Sequence, residues 1–93
     1  MISLIIKEIK IKKENMNNFN EYIKNWIYVS KQQELNLSID GFWAGDKFNI
    51  VERWSSEESF NKFAKTEQYK EFLTFVENSA QMPLKIKKYK TII

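Results

Sequence analysis

The chain has 93 residues, 43% of them hydrophobic and 15% aromatic, with a formal net charge of +3 at pH 7. That length suits a single domain over residues 1–93, and the composition suits a packed core rather than disorder. Cysteine and histidine are both absent. Their absence removes disulfides, thiolate catalysis, zinc–sulfur sites, histidine bases, His-ligated metals and a proximal histidine for haem.

The first expected element is a strand over Ile2–Lys12, rich in β-branched isoleucine. Leu4 and Ile6 share one parity, and Ile5, Ile9 and Ile11 the other, so the strand is apolar on both faces or carries a bulge. Lys7, Glu8 and Lys10 interrupt the run, which is therefore no signal peptide. Asn15 is placed to cap a helix reaching to near Glu34. Its stripe is Phe19, Ile23, Trp26, Ile27 and Ser30, widened by Tyr22 and Val29.

A second strand is expected over Leu37–Trp43, and a hairpin turn through Ala44, Gly45, Asp46 and Lys47 leads to a third over Phe48–Trp54. Ser55 or Ser56 then caps a helical region running to about Gln81, with Glu57 and Glu58 complementing the positive end of its dipole. Thr66 breaks that region and caps its second half, whose stripe is Tyr69, Phe72, Leu73 and Val76. Pro83 stops the helix, and a last strand follows over Leu84–Ile92. Its lysines at 85, 87, 88 and 90 are the pattern by which an edge strand resists sheet-to-sheet aggregation. The lysines form no basic stripe and no RNA-recognition signature accompanies them, so no nucleic-acid partner is expected. No stretch has the length of a membrane span, and the expected location is cytoplasmic, without membrane association.

Two strand-helix-strand units fit this order, and the segment Phe19-Asn20-Glu21-Tyr22-Ile23-Lys24 echoes Phe60-Asn61-Lys62-Phe63-Ala64-Lys65. With right-handed crossovers they give an α+β, ferredoxin-like βαββαβ fold, a four-stranded antiparallel sheet with helices on one face. Large apolar side chains on the second face call for cover, and a second copy of the chain would supply it in a twofold homodimer.

The run Val51-Glu52-Arg53-Trp54-Ser55-Ser56-Glu57-Glu58-Ser59-Phe60, then Thr66-Glu67-Gln68-Tyr69-Lys70-Glu71-Phe72 and the closing Tyr89-Lys90-Thr91-Ile92-Ile93, resembles the antibiotic biosynthesis monooxygenase family. The resemblance implies a dimeric α+β barrel and, in its cofactor-independent members, oxidation of phenols, anthrones or quinols by molecular oxygen without metal or flavin. Many members carry a histidine where this chain has Phe63. The haem-degrading branch relies on an Asn, a Trp and a His, whose positions fall near Lys7, on Phe63 and near Leu73, so that mechanism is not expected here.

The chemistry implied by the resemblance needs a dry pocket, an anion stabiliser and a base. Trp26, Trp43, Trp54, Phe63, Tyr22 and Tyr69 are the candidate walls for a flat aromatic ligand. Arg53, the only arginine, is the candidate anion holder, and Glu52 or Glu8 the candidate proton acceptor. Arg53 and Glu52 point to opposite faces of a regular strand. Aromatic residues at helical spacing also serve as plain core, and Trp43, beside Gly41 and Gly45 at a hairpin end, is the one least needed there. Two other readings follow from the same residues: a non-catalytic ligand-binding or sensing dimer, favoured by the lack of histidine, and haem binding without degradation through a tyrosinate or no protein ligand.

Overall fold

The structure is a computed structural model that describes residues 2–92, so Ile93 of the closing segment lies outside it. Strand β1 (Ser3–Lys10) is followed by a short 3-10 turn (Lys13–Asn15) and helix α1 (Met16–Lys31). The hairpin β2 (Asn36–Ala44) and β3 (Lys47–Trp54) comes next, then α2 (Glu57–Ala64), α3 (Glu67–Ser79) and β4 (Lys85–Lys90). The sheet order is β2-β3-β1-β4, with every neighbouring pair antiparallel. This is the expected ferredoxin-like α+β arrangement.

Strand parity decides what the helices cover. Ser3, Ile5, Lys7 and Ile9 of β1 are buried, as are Phe48, Ile50, Glu52 and Trp54 of β3. These inward positions meet rings from the helices: Phe48 meets Phe19 of α1, and Trp54 meets Phe60 and Phe63 of α2. β1 is regular and two-faced, so its mixed parity needs no bulge. The irregularity lies instead in β2, between Asn36 and Ser38, where Leu37 is turned outward and half exposed. The opposite sheet face carries Leu4, Ile6 and Val51, together with the half-exposed Phe42 and Tyr89.

The helix ends follow hydrogen-bond supply. Ser56 accepts from the backbone amide of Ser59 at 3.1 Å and starts α2. Thr66 accepts from the amide of Tyr69 and donates to the carbonyl oxygen of Phe63 at 2.8 Å, so one hydroxyl ends α2 and begins α3. Asn15 departs from the expectation. Its backbone is already helical and its side chain makes no cap bond; Nδ2 donates instead to the carbonyl of Ser79 at 3.4 Å. That bond joins a ladder in which Lys12 and Gln81 donate to Ser79 and Lys10, tying the end of α3 to the end of β1. α1 also stops at Lys31, because Gln32 and Gln33 donate to carbonyls only three residues back and tighten the last turn.

Gly41 in β2 is required by a close approach. A Cβ built there lies 2.5 Å from Phe48 Cζ and 2.7 Å from Ile27 Cδ1. Phe48 is locked between Phe19 and Trp43, so it has little room to yield. Gly41→Ala is therefore expected to lower the unfolding free energy by about 1–3 kcal/mol, the cost of overpacking. Urea unfolding followed by tryptophan fluorescence checks this: the midpoint falls while the slope stays unchanged.

Candidate functional site

Two central strands bring a lysine and a carboxylate into the interior. Lys7 has the parity of Ile5, Ile9 and Ile11, and Glu52 that of Ile50 and Trp54. In the β1–β3 register Ile5 faces Glu52 and Lys7 faces Ile50, so the two charged residues are diagonal neighbours on the inward face. Lys7 Nζ lies 2.6 Å from Glu52 Oε2, with side-chain exposures of 0% and 1%. The second oxygen, Oε1, accepts from Trp54 Nε1 at 3.0 Å.

Three rings from the helices complete the surroundings of the ammonium. Its nitrogen lies 4.8 Å from the centroid of Tyr69 and 5.3 Å from those of Phe60 and Phe72. At these distances the negative ring faces attract the cation, and more so in a dry interior. Behind this cage Trp26 stacks on Phe72 at 4.3 Å and on Phe63 at 5.5 Å, and Phe63 stacks on Trp54 at 5.2 Å. Trp26 Nε1 is buried without a hydrogen-bond partner.

The electrostatics follow from burial. Loss of water pulls the Lys7 ammonium below the usual lysine range; the charge and hydrogen bond of Glu52 oppose that pull, and Lys88 adds to it. Burial, and then the charge of Glu52, push the Tyr69 hydroxyl upward, so it stays protonated. The ion pair is neutral as a whole, which is how two charges persist here.

Five of the residues expected from the sequence thus meet in one place: Glu52, Trp26, Trp54, Phe63 and Tyr69. The others lie elsewhere. Arg53 is exposed on the opposite sheet face, across the sheet from Glu52. Glu8 is on that face too, 3.8 Å from Lys47 and 3.9 Å from Lys85. Tyr22 stacks on Phe75 at 3.8 Å along the outer side of α1 and α3. Trp43 is built into the fold after all: its Nε1 donates to Asn20 Oδ1 at 3.0 Å, and its ring packs against Phe19 and Phe48. Lys7 is the residue the sequence reading passed over. Its signal was its parity, a lysine on the isoleucine face of β1.

Among the described residues no group of three or more His, Cys, Asp or Glu side chains is placed to hold a metal ion. A surface groove of about 460 Å³ runs along Leu73, Val76, Ala80, Met82 and Leu84, and it shares no residue with the ion pair or its cage.

The strand order with helices on one face defines the ferredoxin-like α+β class, and its interior here is an aromatic box around one ion pair. The family model for antibiotic biosynthesis monooxygenase matches residues 2–74, and the chain belongs to that family. Among solved structures, a conserved protein from Methanosarcina mazei Go1 superposes with a TM-score of 0.92 at 15% identity, covering 98% of this chain and 93% of that one. The Rv0793 protein of Mycobacterium tuberculosis gives 0.92 at 12% identity, covering 100% and 97%. A structure described as an antibiotic biosynthesis monooxygenase gives 0.89 at 16% identity and covers both chains fully, at 100% each. At these identities the likeness is one of fold. No curated protein matches the sequence.

Removing either charge alone strands the other without water. Lys7→Met or Glu52→Gln is expected to cost about 3–5 kcal/mol of stability. The double variant Lys7→Met/Glu52→Gln leaves no buried charge and keeps an acceptor for Trp54, so it is expected to recover most of that loss. A double-mutant cycle by urea unfolding checks the coupling.

Proposed function

We propose that this protein is a cofactor-independent monooxygenase acting on a small aromatic molecule of the phenol, quinol or anthrone type. The observation that carries the reading is the interior Lys7–Glu52 pair beneath stacked aromatic rings. A flat substrate that parts these rings, which pack against one another here, and lies among Trp26, Trp54, Phe63 and Tyr69 presents its acidic hydrogen to Glu52. The carboxylate accepts that proton, and Lys7 is left to hold the substrate anion. One ion pair therefore supplies both base and anion stabiliser, the second role being the one the sequence had suggested for Arg53. The electron-rich anion then reacts with oxygen. For an anthrone, the CH2 group and O2 give a ketone and water, one oxygen atom entering the product and the other leaving. Dryness favours each step, since the charges in the site act at low dielectric.

A second reading, ligand binding without chemistry, is favoured by a specific feature: both oxygens of Glu52 are engaged, one by Lys7 and one by Trp54. For the haem alternative, the burial that raises the Tyr69 hydroxyl opposes a tyrosinate ligand at that residue, and haem held by no protein ligand stays a separate reading.

The open sheet face supports assembly as a homodimer. Leu4, Ile6, Phe42, Val51 and Tyr89 form an apolar patch with no cover from the helices of their own chain. Packing two such faces about a twofold axis would close the barrel implied by the family.

Oxygen uptake with a panel of hydroquinones and anthrones tests the activity. The protein is expected to consume oxygen with at least one of them, and the charge-free Lys7→Met/Glu52→Gln variant to be slower by about 10²–10⁴-fold. Saturable ligand binding with no oxygen uptake would favour the second reading instead. Light scattering tests the assembly: a particle of twice the 11.2 kDa chain mass is expected. An Ile6→Asp variant is expected at the single-chain mass, because it places a charge in the patch.

A further inference from the structure

We infer that the crevice between α1 and α3 is a binding site for a neutral, single-ring aromatic molecule whose oxygen accepts a hydrogen bond from Trp26 Nε1. The site lies apart from the ion pair and goes beyond the proposed reaction, because it asks nothing of Glu52 or of oxygen.

Helical spacing builds the crevice. Tyr22, Asn25, Trp26 and Val29 fall at i, i+3, i+4 and i+7, so they share one face of α1. Gln68 and Glu71 stand three residues apart on α3 and meet that face across a space of about 140 Å³. An apolar cavity of about 150 Å³ is enough to take up benzene, so this one has room for a single six-membered ring. Of Trp26, Trp54, Phe63 and Tyr69, the rings nearest the ion pair, Trp26 alone lines it.

Trp26 also carries the donor that calls for a ligand. The indole nitrogens of Trp43 and Trp54 each donate at 3.0 Å, to Asn20 and to Glu52. Trp26 is only 4% exposed, and its Nε1 is buried with no acceptor. A buried donor left unpaired costs stability, and one that persists in a fold needs a reason. Phe72 and Phe63 lie nearly parallel to the indole, at 4.3 and 5.5 Å, and pack its faces. What Trp26 turns to the crevice is its edge, and Nε1 is the one polar atom of that edge.

The rim decides the charge of the ligand. Asn25, Gln68 and Glu71 are exposed, whereas Tyr22 and Val29 are half-buried beside Trp26. Burial, and then the charge of Glu71, push the Tyr22 hydroxyl upward, so it stays protonated and offers a second donor. An anion would meet the Glu71 carboxylate on its way to these donors. A neutral ring bearing a hydroxyl or carbonyl oxygen meets no such opposition.

Proton–nitrogen correlation NMR reads this directly, since the three tryptophans give three indole N–H signals. Phenol, benzene and benzoate are the probes, and Trp26→Phe and Trp43→Phe assign the signals. Phenol is expected to move the Trp26 signal downfield saturably, with those of Trp43 and Trp54 in place, and to bind about fivefold more tightly than benzene. Benzoate is expected to bind more weakly than phenol, by a gap that Glu71→Gln narrows about threefold. Trp26→Phe is expected to bring phenol down to the affinity of benzene. Val29→Phe fills the crevice with a ring of its own and is expected to abolish binding of both, with the Trp43 and Trp54 signals showing that the fold persists. A stationary Trp26 signal, equal affinities for phenol and benzene, benzoate binding as tightly as phenol, or binding that survives Val29→Phe overturns the inference. Movement of the Trp54 signal instead places the ring at Glu52, which overturns the inference and leaves the proposed reaction standing.

Discussion

Bringing Lys7 and Glu52 out of water costs several kcal/mol per ion, and the rest of the interior is arranged to offset that cost. A 2.6 Å contact supplies the Coulomb attraction, Trp54 satisfies the second carboxylate oxygen, and three ring faces receive the side of the ammonium that the carboxylate leaves open. None of these works without the others. The attraction needs β1 and β3 in their observed register, since a one-residue slip would turn Lys7 outward with Leu4 and Ile6. Ile5, Ile9 and Ile50 hold that register by burial, so the apolar core and the polar pair specify the same alignment.

The same demand explains the interrupted second helical region. Phe60 comes from α2, Tyr69 and Phe72 from α3, and all three must reach one nitrogen. The break at Lys65 and Thr66 allows the two short helices to approach separately, and Thr66 bonds both ends of the break. The serines that start α2 set its angle in turn. Ser59 is bonded to the hydroxyls of both Ser55 and Ser56, which fixes the turn immediately after Trp54. A strand carrying Glu52 and Trp54 is thus coupled, within a few residues, to the helix carrying Phe60.

Much of this was legible in the residues. Alternation in β3, the serine and threonine caps and Pro83 located the elements, because each acts through neighbours a few positions away. Glu52, Trp26, Trp54, Phe63 and Tyr69 stood among the candidates for the same reason, being inward by parity or helical spacing, but nothing local set them apart from Tyr22, Trp43, Arg53 and Glu8. What failed to show was longer in range. Asn15 has the chemistry of a cap, but its bond to Ser79 depends on where α3 ends. Trp43 sits beside glycines at a hairpin tip, which reads as exposure; its partners Phe19 and Asn20 belong to a different element. Lys7 read only as a charge that interrupts an apolar run, although its strand parity places it on the isoleucine face.

The ion pair also links stability to the proposed chemistry. A site that only needed to be stable would be better served by apolar side chains of similar volume, since replacing buried ion pairs in that way is often neutral or favourable. A reaction that passes a proton from substrate to carboxylate gains something different. In the proposed reaction the proton would leave a neutral molecule, neutralise Glu52 and expose the charge of Lys7 to the new anion, so the net charge of the dry interior would stay constant throughout. A lone carboxylate would instead leave an uncompensated negative charge at the start and a buried anion at the end, each at full desolvation cost. The aromatic cage serves both states: its ring faces attract the ammonium whether its partner is Glu52 or a bound anion. The arrangement that makes this core costly to fold is therefore the one that would favour the proposed proton transfer within it.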